Sequence, residues 1–165
     1  MTRTIPTVDF ALARSSSEDE RKEFTRQVGD ALQDIGFFGL VNHGIDVELI
    51  ADAYAQCDRF FDLDEELKRG YLHPEIAHQR GYTAFGIEHA KDNPAPDLKE
   101  FWQTGRAYPK SGPEPTYPQN VWPSAHAPEF KTTIDQLYNG MEQLSKELLA
   151  ACSRYLGKSD DWLPN

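Results

Sequence analysis

Cysteine is nearly absent: Cys57 and Cys152 are the two thiols in 165 residues. Each falls on the apolar stripe of a predicted helix, where cysteine serves as a small hydrophobe, and both are expected to be reduced core residues. No Ser or Cys stands in a recognisable motif with His, which leaves nucleophilic catalysis without a carrier. The chain also lacks a glycine-rich phosphate loop, internal repeats and any apolar run near the length of a membrane span. The opening residues show no secretory leader pattern, so a cytoplasmic location is the expectation. Basic charge is short as well. With 17 Lys and Arg against 27 Asp and Glu, the net charge is -10. Such a surface repels nucleic acid and anionic membrane, and neither is expected as a partner.

What is present is an aromatic core in a modestly apolar chain. Aromatic residues make up 12% and apolar residues 39%, with a mean hydropathy of -0.65. The length suits one domain with a sizeable core, yet the apolar share is low for a self-sufficient globule. Part of the apolar surface is therefore expected to need a partner.

The organising stretch is Asp34-Ile-Gly-Phe-Phe-Gly-Leu-Val-Asn-His-Gly-Ile-Asp46, where two helical patterns meet across one short apolar strand. Ser16 and Ser17 can cap a helix over 18–35, with acids in its first turn and Phe24, Val28, Leu32 and Ile35 on one face. Gly36 can take the positive φ that closes it. Phe37 to Val41 then reads as a buried strand, and Asp46 can cap a second helix over 47–63 with Ile50, Tyr54, Cys57 and Phe61 on its face. An earlier edge strand over 4–10 contains Pro6. A short helix from Glu65 to Arg69 has Asp64 as its expected cap. From Tyr71 to Gly105 helical period is lost; Leu98 to Thr104 reads as a possible strand leading into a proline-rich loop from Tyr108 to Pro123. A long helix over 128–156 keeps Phe130, Ile134, Leu137, Met141, Leu144, Leu148 and Ala151 on one face and ends at Gly157. The fold class expected is α/β (α+β), a helical scaffold with a few short strands.

These pieces, in this order, resemble the N-terminal region of the isopenicillin N synthase-like branch of the 2-oxoglutarate/Fe(II)-dependent dioxygenases. The residues that carry the resemblance are Thr4-Ile-Pro-Thr-Val-Asp-Phe10, Gly36-Phe-Phe-Gly39 with Asn42-His-Gly-Ile45, Phe60-Phe61-x-Leu63-x-x-Glu66-x-Lys68, Arg80-Gly81-Tyr82, Asp97-Leu-Lys-Glu-Phe101 and Gln119-Asn-Val-Trp-Pro123. The resemblance implies that residues 1–165 form a non-haem dioxygenase N-terminal domain. Its strands would join a jelly roll supplied by a C-terminal segment outside this chain. It also implies Fe(II), 2-oxoglutarate and a small-molecule substrate for the full-length protein; hydroxylation, desaturation and ring closure all remain open. The family's His-x-Asp, distant His and Arg-x-Ser have no counterpart here, so no catalytic, cofactor-binding or metal residue is expected in this segment. A second reading is a stand-alone interaction or regulatory module without an iron site.

His73-Pro74-Glu75 with His126 imitates the two-His, one-carboxylate set that leaves open positions on Fe(II). It is expected to be a decoy, because Pro74 would interrupt the strand that the spacing needs and no Arg-x-Ser follows His126. His43 is expected to bond a nearby carbonyl. In the resembled family the stretch from Tyr71 onward contributes to the substrate entrance, which makes Arg80, Tyr82, Glu100 and Trp102 the candidate entrance residues. The alternative for Arg80 and Tyr82 is a surface loop turned by Gly81. On a strand, Glu100 and Trp102 would share one face while Phe101 and Gln103 share the other, with Trp102 either lining a pocket or packing.

Overall fold

A computed structural model describes residues 4–92, 94–107 and 117–164. The expected loop from Tyr108 to Pro123 lies outside the described residues over 108–116. By internal contacts the chain divides into two compact units, Met1–Asp46 with Asn139–Asn165, and Val47–Tyr138.

In the first unit, strand β1 (Thr7–Asp9) runs straight into a 3-10 turn (Phe10–Arg14), shorter than the strand expected over 4–10. The reason is local. The Asp9 carboxylate accepts the Ala11 N–H at 2.9 Å and turns the chain at once. Helix α1 (Glu18–Asp34) starts at Ser17, whose hydroxyl accepts the Glu20 N–H, and closes at Gly36 with φ +94. Strand β2 (Gly39–Val41) pairs in parallel with β1, Val8 lying opposite Leu40. The expectation that Phe37 to Val41 forms a buried strand is corrected here. Phe37 is 55% exposed and Val41 is exposed too, because among the described residues β2 has a single strand neighbour and one packed face. Phe38 and Leu40 supply that face, packing beside a buried cluster of Val8, Phe10, Phe24, Val28 and Ala151. Leu32, expected on the buried face of α1, is exposed; Ala31 takes the buried position.

The second unit opens with α2 (Val47–Phe61) and α3 (Glu65–Arg69). The buried residues of α2 are Ala53, Gln56 and Phe60; of the expected face Ile50, Tyr54, Cys57 and Phe61, Cys57 and Phe61 pack against the same cluster, whereas Tyr54 is 70% exposed. Asp64 stands before α3 but its side chain makes no capping hydrogen bond. Strands β3 (Gly81–Thr83) and β4 (Phe101–Gln103) form an antiparallel ribbon with Tyr82 opposite Trp102. The loop expected around Arg80 to Tyr82 is thus a buried strand, whose partner lies about twenty residues away in the chain and so left no local period. Gly81 is required there: its φ is +82, and a Cβ would sit 2.9 Å from the Tyr71 carbonyl oxygen.

Helix α4 (Phe130–Tyr155) begins in the second unit and continues in the first. Phe130 and Ala151 are buried as expected, whereas Met141 is 54% exposed. Gly157, with φ +69, ends the helix. Cys57 and Cys152 are free thiols, half-buried beside their cores, and burial raises both thiols above the ordinary range. No helix among the described residues is long and apolar enough to cross a membrane.

Candidate functional site

Phe60 is the centre around which the candidate residues gather. Fully buried, it meets Phe61, Tyr71, Tyr82, Trp102 and Phe130 with ring centroids 4.7–6.3 Å apart, all edge-to-face. Because Tyr82 and Trp102 are opposite each other on the β3–β4 ribbon, both lie on the face turned to Phe60. Glu100, two residues before Trp102, reaches the same side, as strand alternation requires.

Its carboxylate is held by a buried network. The Tyr82 hydroxyl donates to Glu100 Oε2 at 2.5 Å. Lys68 Nζ, on α3, lies 3.0 Å from Oε1 and 2.9 Å from Oε2, and donates a further bond to the Phe61 carbonyl at 3.0 Å. Lys68 and Glu100 side chains are 9% and 16% exposed, so this pair is desolvated, unlike the surface pairs of the chain. The network ties the end of α2 to α3, β3 and β4. Sequence reasoning missed Lys68, although it stood in the quoted Phe60 to Lys68 motif; a lysine on a short acidic helix reads as solvated until its partner is known.

Burial, then the Glu100 hydrogen bond and charge, raise the Tyr82 phenol well above its ordinary value. The folded value lies above the unfolded one, so the phenol's contribution to stability is full below a pH of about 10 and is lost as the pH rises through the folded value. Tyr82→Phe should therefore flatten the alkaline limb of a stability-versus-pH curve followed by urea unfolding. An unchanged limb would mean that the phenol does not carry this dependence.

Arg80 is not joined to the others. It is half-buried, its Nη1 donates to the Gln79 carbonyl at 2.6 Å, and its guanidinium occupies the space that a side chain at position 105 would need. Three of the four candidates (Tyr82, Glu100 and Trp102) are thus brought together, and Arg80 stands apart at the start of β3.

Three of the histidines, His43, His73 and His126, are engaged elsewhere. His73 Nδ1 lies 2.7 Å from Glu75 Oε1 on a 3-10 turn (Pro74–Ile76), and His126 Nδ1 lies 2.7 Å from the Tyr71 hydroxyl. His43 accepts the Ile45 N–H through Nδ1 at 3.1 Å, a backbone donor rather than the carbonyl expected. Among the described residues no three His, Cys, Asp or Glu side chains converge to hold a metal ion.

Residues 5–125 match the family described as non-haem dioxygenase in morphine synthesis, N-terminal. The chain belongs to this family. Among curated relatives of this non-haem dioxygenase segment is the 2-oxoglutarate-dependent dioxygenase thnC of Trichoderma harzianum, 30% identical over 159 residues and covering 96% of this chain and 50% of that protein. A second, ecdK of Aspergillus rugulosus, is 30% identical over 164 residues, covering 90% and 48%. A solved 2OG-Fe(II) oxygenase family protein from Caulobacter crescentus superposes with a TM-score of 0.84 at 32% identity, over 98% of this chain and 51% of that one. Full-length Neurospora crassa T7H, solved with alpha-KG, gives 0.75 at 26%, over 96% and 49%. The chain spans about half the length of the curated relatives it matches.

Proposed function

We propose that residues 1–165 are the N-terminal part of a 2-oxoglutarate/Fe(II)-dependent oxygenase acting on a small organic molecule. The observation that carries this reading is the superposition of nearly the whole chain on half of a 2OG-Fe(II) oxygenase family protein. In the full-length protein dioxygen would be the oxidant, activated at Fe(II) with 2-oxoglutarate as the two-electron co-reductant, and the residues here would supply scaffold and substrate entrance. A small-molecule substrate is supported by the Neurospora crassa T7H solved with alpha-KG and thymine. The two free thiols suit a reducing compartment such as the cytoplasm.

The entrance we propose comprises Arg80, Tyr82, Glu100 and Trp102. Tyr82, fully buried, acts from beneath by fixing the Glu100 carboxylate. Glu100 and Trp102 retain partial exposure, and Arg80 offers a cation with no carboxylate partner among the described residues.

Expressed with its downstream coding sequence, the protein is expected to consume 2-oxoglutarate and dioxygen and release succinate and CO2 in the presence of Fe(II), with the organic substrate oxidised by two electrons. Lack of turnover with Fe(II) loaded would favour a non-catalytic module. In that protein Arg80→Ala should raise the KM for the organic substrate roughly tenfold or more, the worth of a charged hydrogen bond, while unfolding free energy falls by less than about 1.5 kcal/mol. A stability loss of several kcal/mol with KM unchanged would make Arg80 a packing residue.

A further inference from the structure

The end of the β3–β4 ribbon where β3 begins gathers polar groups that the Glu100 network does not use. His78 and Arg80 lead into β3, and Gln103 Nε2, on β4, donates to the His78 carbonyl at 3.0 Å. Just past β4, Gly105 lies against the Arg80 side chain; a Cβ there would run into Nη2 and Cζ, so glycine clears the space in which the guanidinium rests. Asn120 pins that glycine through both backbone groups, accepting its N–H at 2.9 Å and donating to its carbonyl at 2.7 Å. Ala77 and His78 have φ of +52 and +55, two successive left-handed residues without a glycine, a strained conformation that persists only where surrounding bonds hold it. The His78 N–H, donating to the His73 carbonyl at 3.1 Å, is one of those bonds. Arg80 Nη1 is occupied by the Gln79 carbonyl, which leaves the edge formed by Nε and Nη2. Nε is buried and has no hydrogen-bond partner among the described residues, and neither has the buried Nδ1 of His78.

We propose that this edge of Arg80, with His78 beside it in the chain, is a carboxylate-binding subsite, and that the small organic substrate is an acid held through it. The inference rests on the oxygenase reading above and adds the substrate's charge to it. A guanidinium presents Nε–H and one Nη–H as a parallel pair that matches the two oxygens of a carboxylate. The acids at hand are taken: Glu75 lies 2.7 Å from His73, and Glu100 is held by Lys68 and the Tyr82 hydroxyl. The chain has 27 Asp and Glu against 17 Lys and Arg, so a half-buried arginine without a carboxylate among the described residues is not left so for want of acids. A buried donor bonded to nothing lowers stability. Water would satisfy the donor and leave the charge, whereas a carboxylate does both. The glycine at 105 and its Asn120 clamp fix where the guanidinium lies, which is the preorganisation that a recognition group needs and a solvated surface arginine lacks.

The Nε–H resonance of Arg80 reads the contact directly. It is followed by NMR in the protein extended by its downstream coding sequence, with Zn(II) in place of Fe(II) and one equivalent of 2-oxoglutarate, and is assigned as the peak lost in Arg80→Lys. Acetate, benzoate and phenylacetate are the probes, each against its primary amide at constant ionic strength. The Arg80 peak should shift saturably with at least one acid, at a Kd of about 10 mM or below, and stay unmoved by all three amides. Calorimetry with the tightest acid should show affinity falling at least about tenfold in Arg80→Lys, which keeps the charge and loses the paired edge, while Tm stays within about 2 °C. A peak that no acid moves, or that an amide or sodium chloride moves as far, overturns the proposal. Equal affinity in Arg80→Lys overturns it too, and so does tighter binding of inorganic phosphate than of every acid. Succinate release by the Fe(II)-loaded protein, with and without the acids, tests the oxygenase reading separately. Release with a silent Arg80 would sink the acid subsite alone; an acid-responsive Arg80 without release would sink the oxygenase reading and leave the subsite standing.

Discussion

Phe60→Ala is expected to lower the stability of the chain by about 3–5 kcal/mol, the range for truncating a fully buried aromatic side chain. Five rings meet Phe60 edge-on, and none of them can follow the missing ring without giving up its other contacts. Urea unfolding followed by tryptophan fluorescence suits the test, because Trp102, at 4.7 Å between centroids, is its nearest aromatic neighbour. Tyr54→Ala, on the exposed side of the same helix, is the control and should stay within about 0.5 kcal/mol. Similar losses in the two variants would return the buried face of α2 to the residues that periodicity first suggested.

That face shows where sequence pattern stops being informative. Phe60 and Phe61 are adjacent, so two apolar faces about 100° apart each begin with a phenylalanine. Periodicity preferred the one continued by Tyr54 and Ile50. Packing chose Ala53 and Gln56, because a small residue lets the helix approach its neighbours and the Gln56 amide finds Glu129 at 3.5 Å. The ends of α1 and α4 were legible because Ser17, Gly36 and Gly157 act through their own backbone neighbourhood. Strand β3 was not, since its pairing comes from β4 and nothing in Arg80-Gly81-Tyr82 alone requires it. At the candidate site, Glu100 and Trp102 on one face followed from strand alternation. The Lys68 partner of Glu100 did not, because thirty-two residues separate them and each reads locally as a surface charge.

Lys68→Met is expected to be as damaging as the loss of Phe60, at about 3–5 kcal/mol, although it replaces a charged side chain by an apolar one of similar length. The Lys68–Glu100 pair is desolvated, and its worth lies less in net attraction than in what each charge would cost alone. Without the ammonium, Glu100 keeps one hydrogen bond, from the Tyr82 hydroxyl, and the Phe61 carbonyl loses its side-chain donor. Glu100→Gln added to Lys68→Met should therefore recover part of the loss, because the double variant no longer buries an unpaired charge. A double-mutant cycle should give a coupling of about 1.5 kcal/mol or more, within the range for groups sharing one network. Strictly additive losses would show that water reaches Glu100 freely and that Lys68 holds α3 to the ribbon by packing alone.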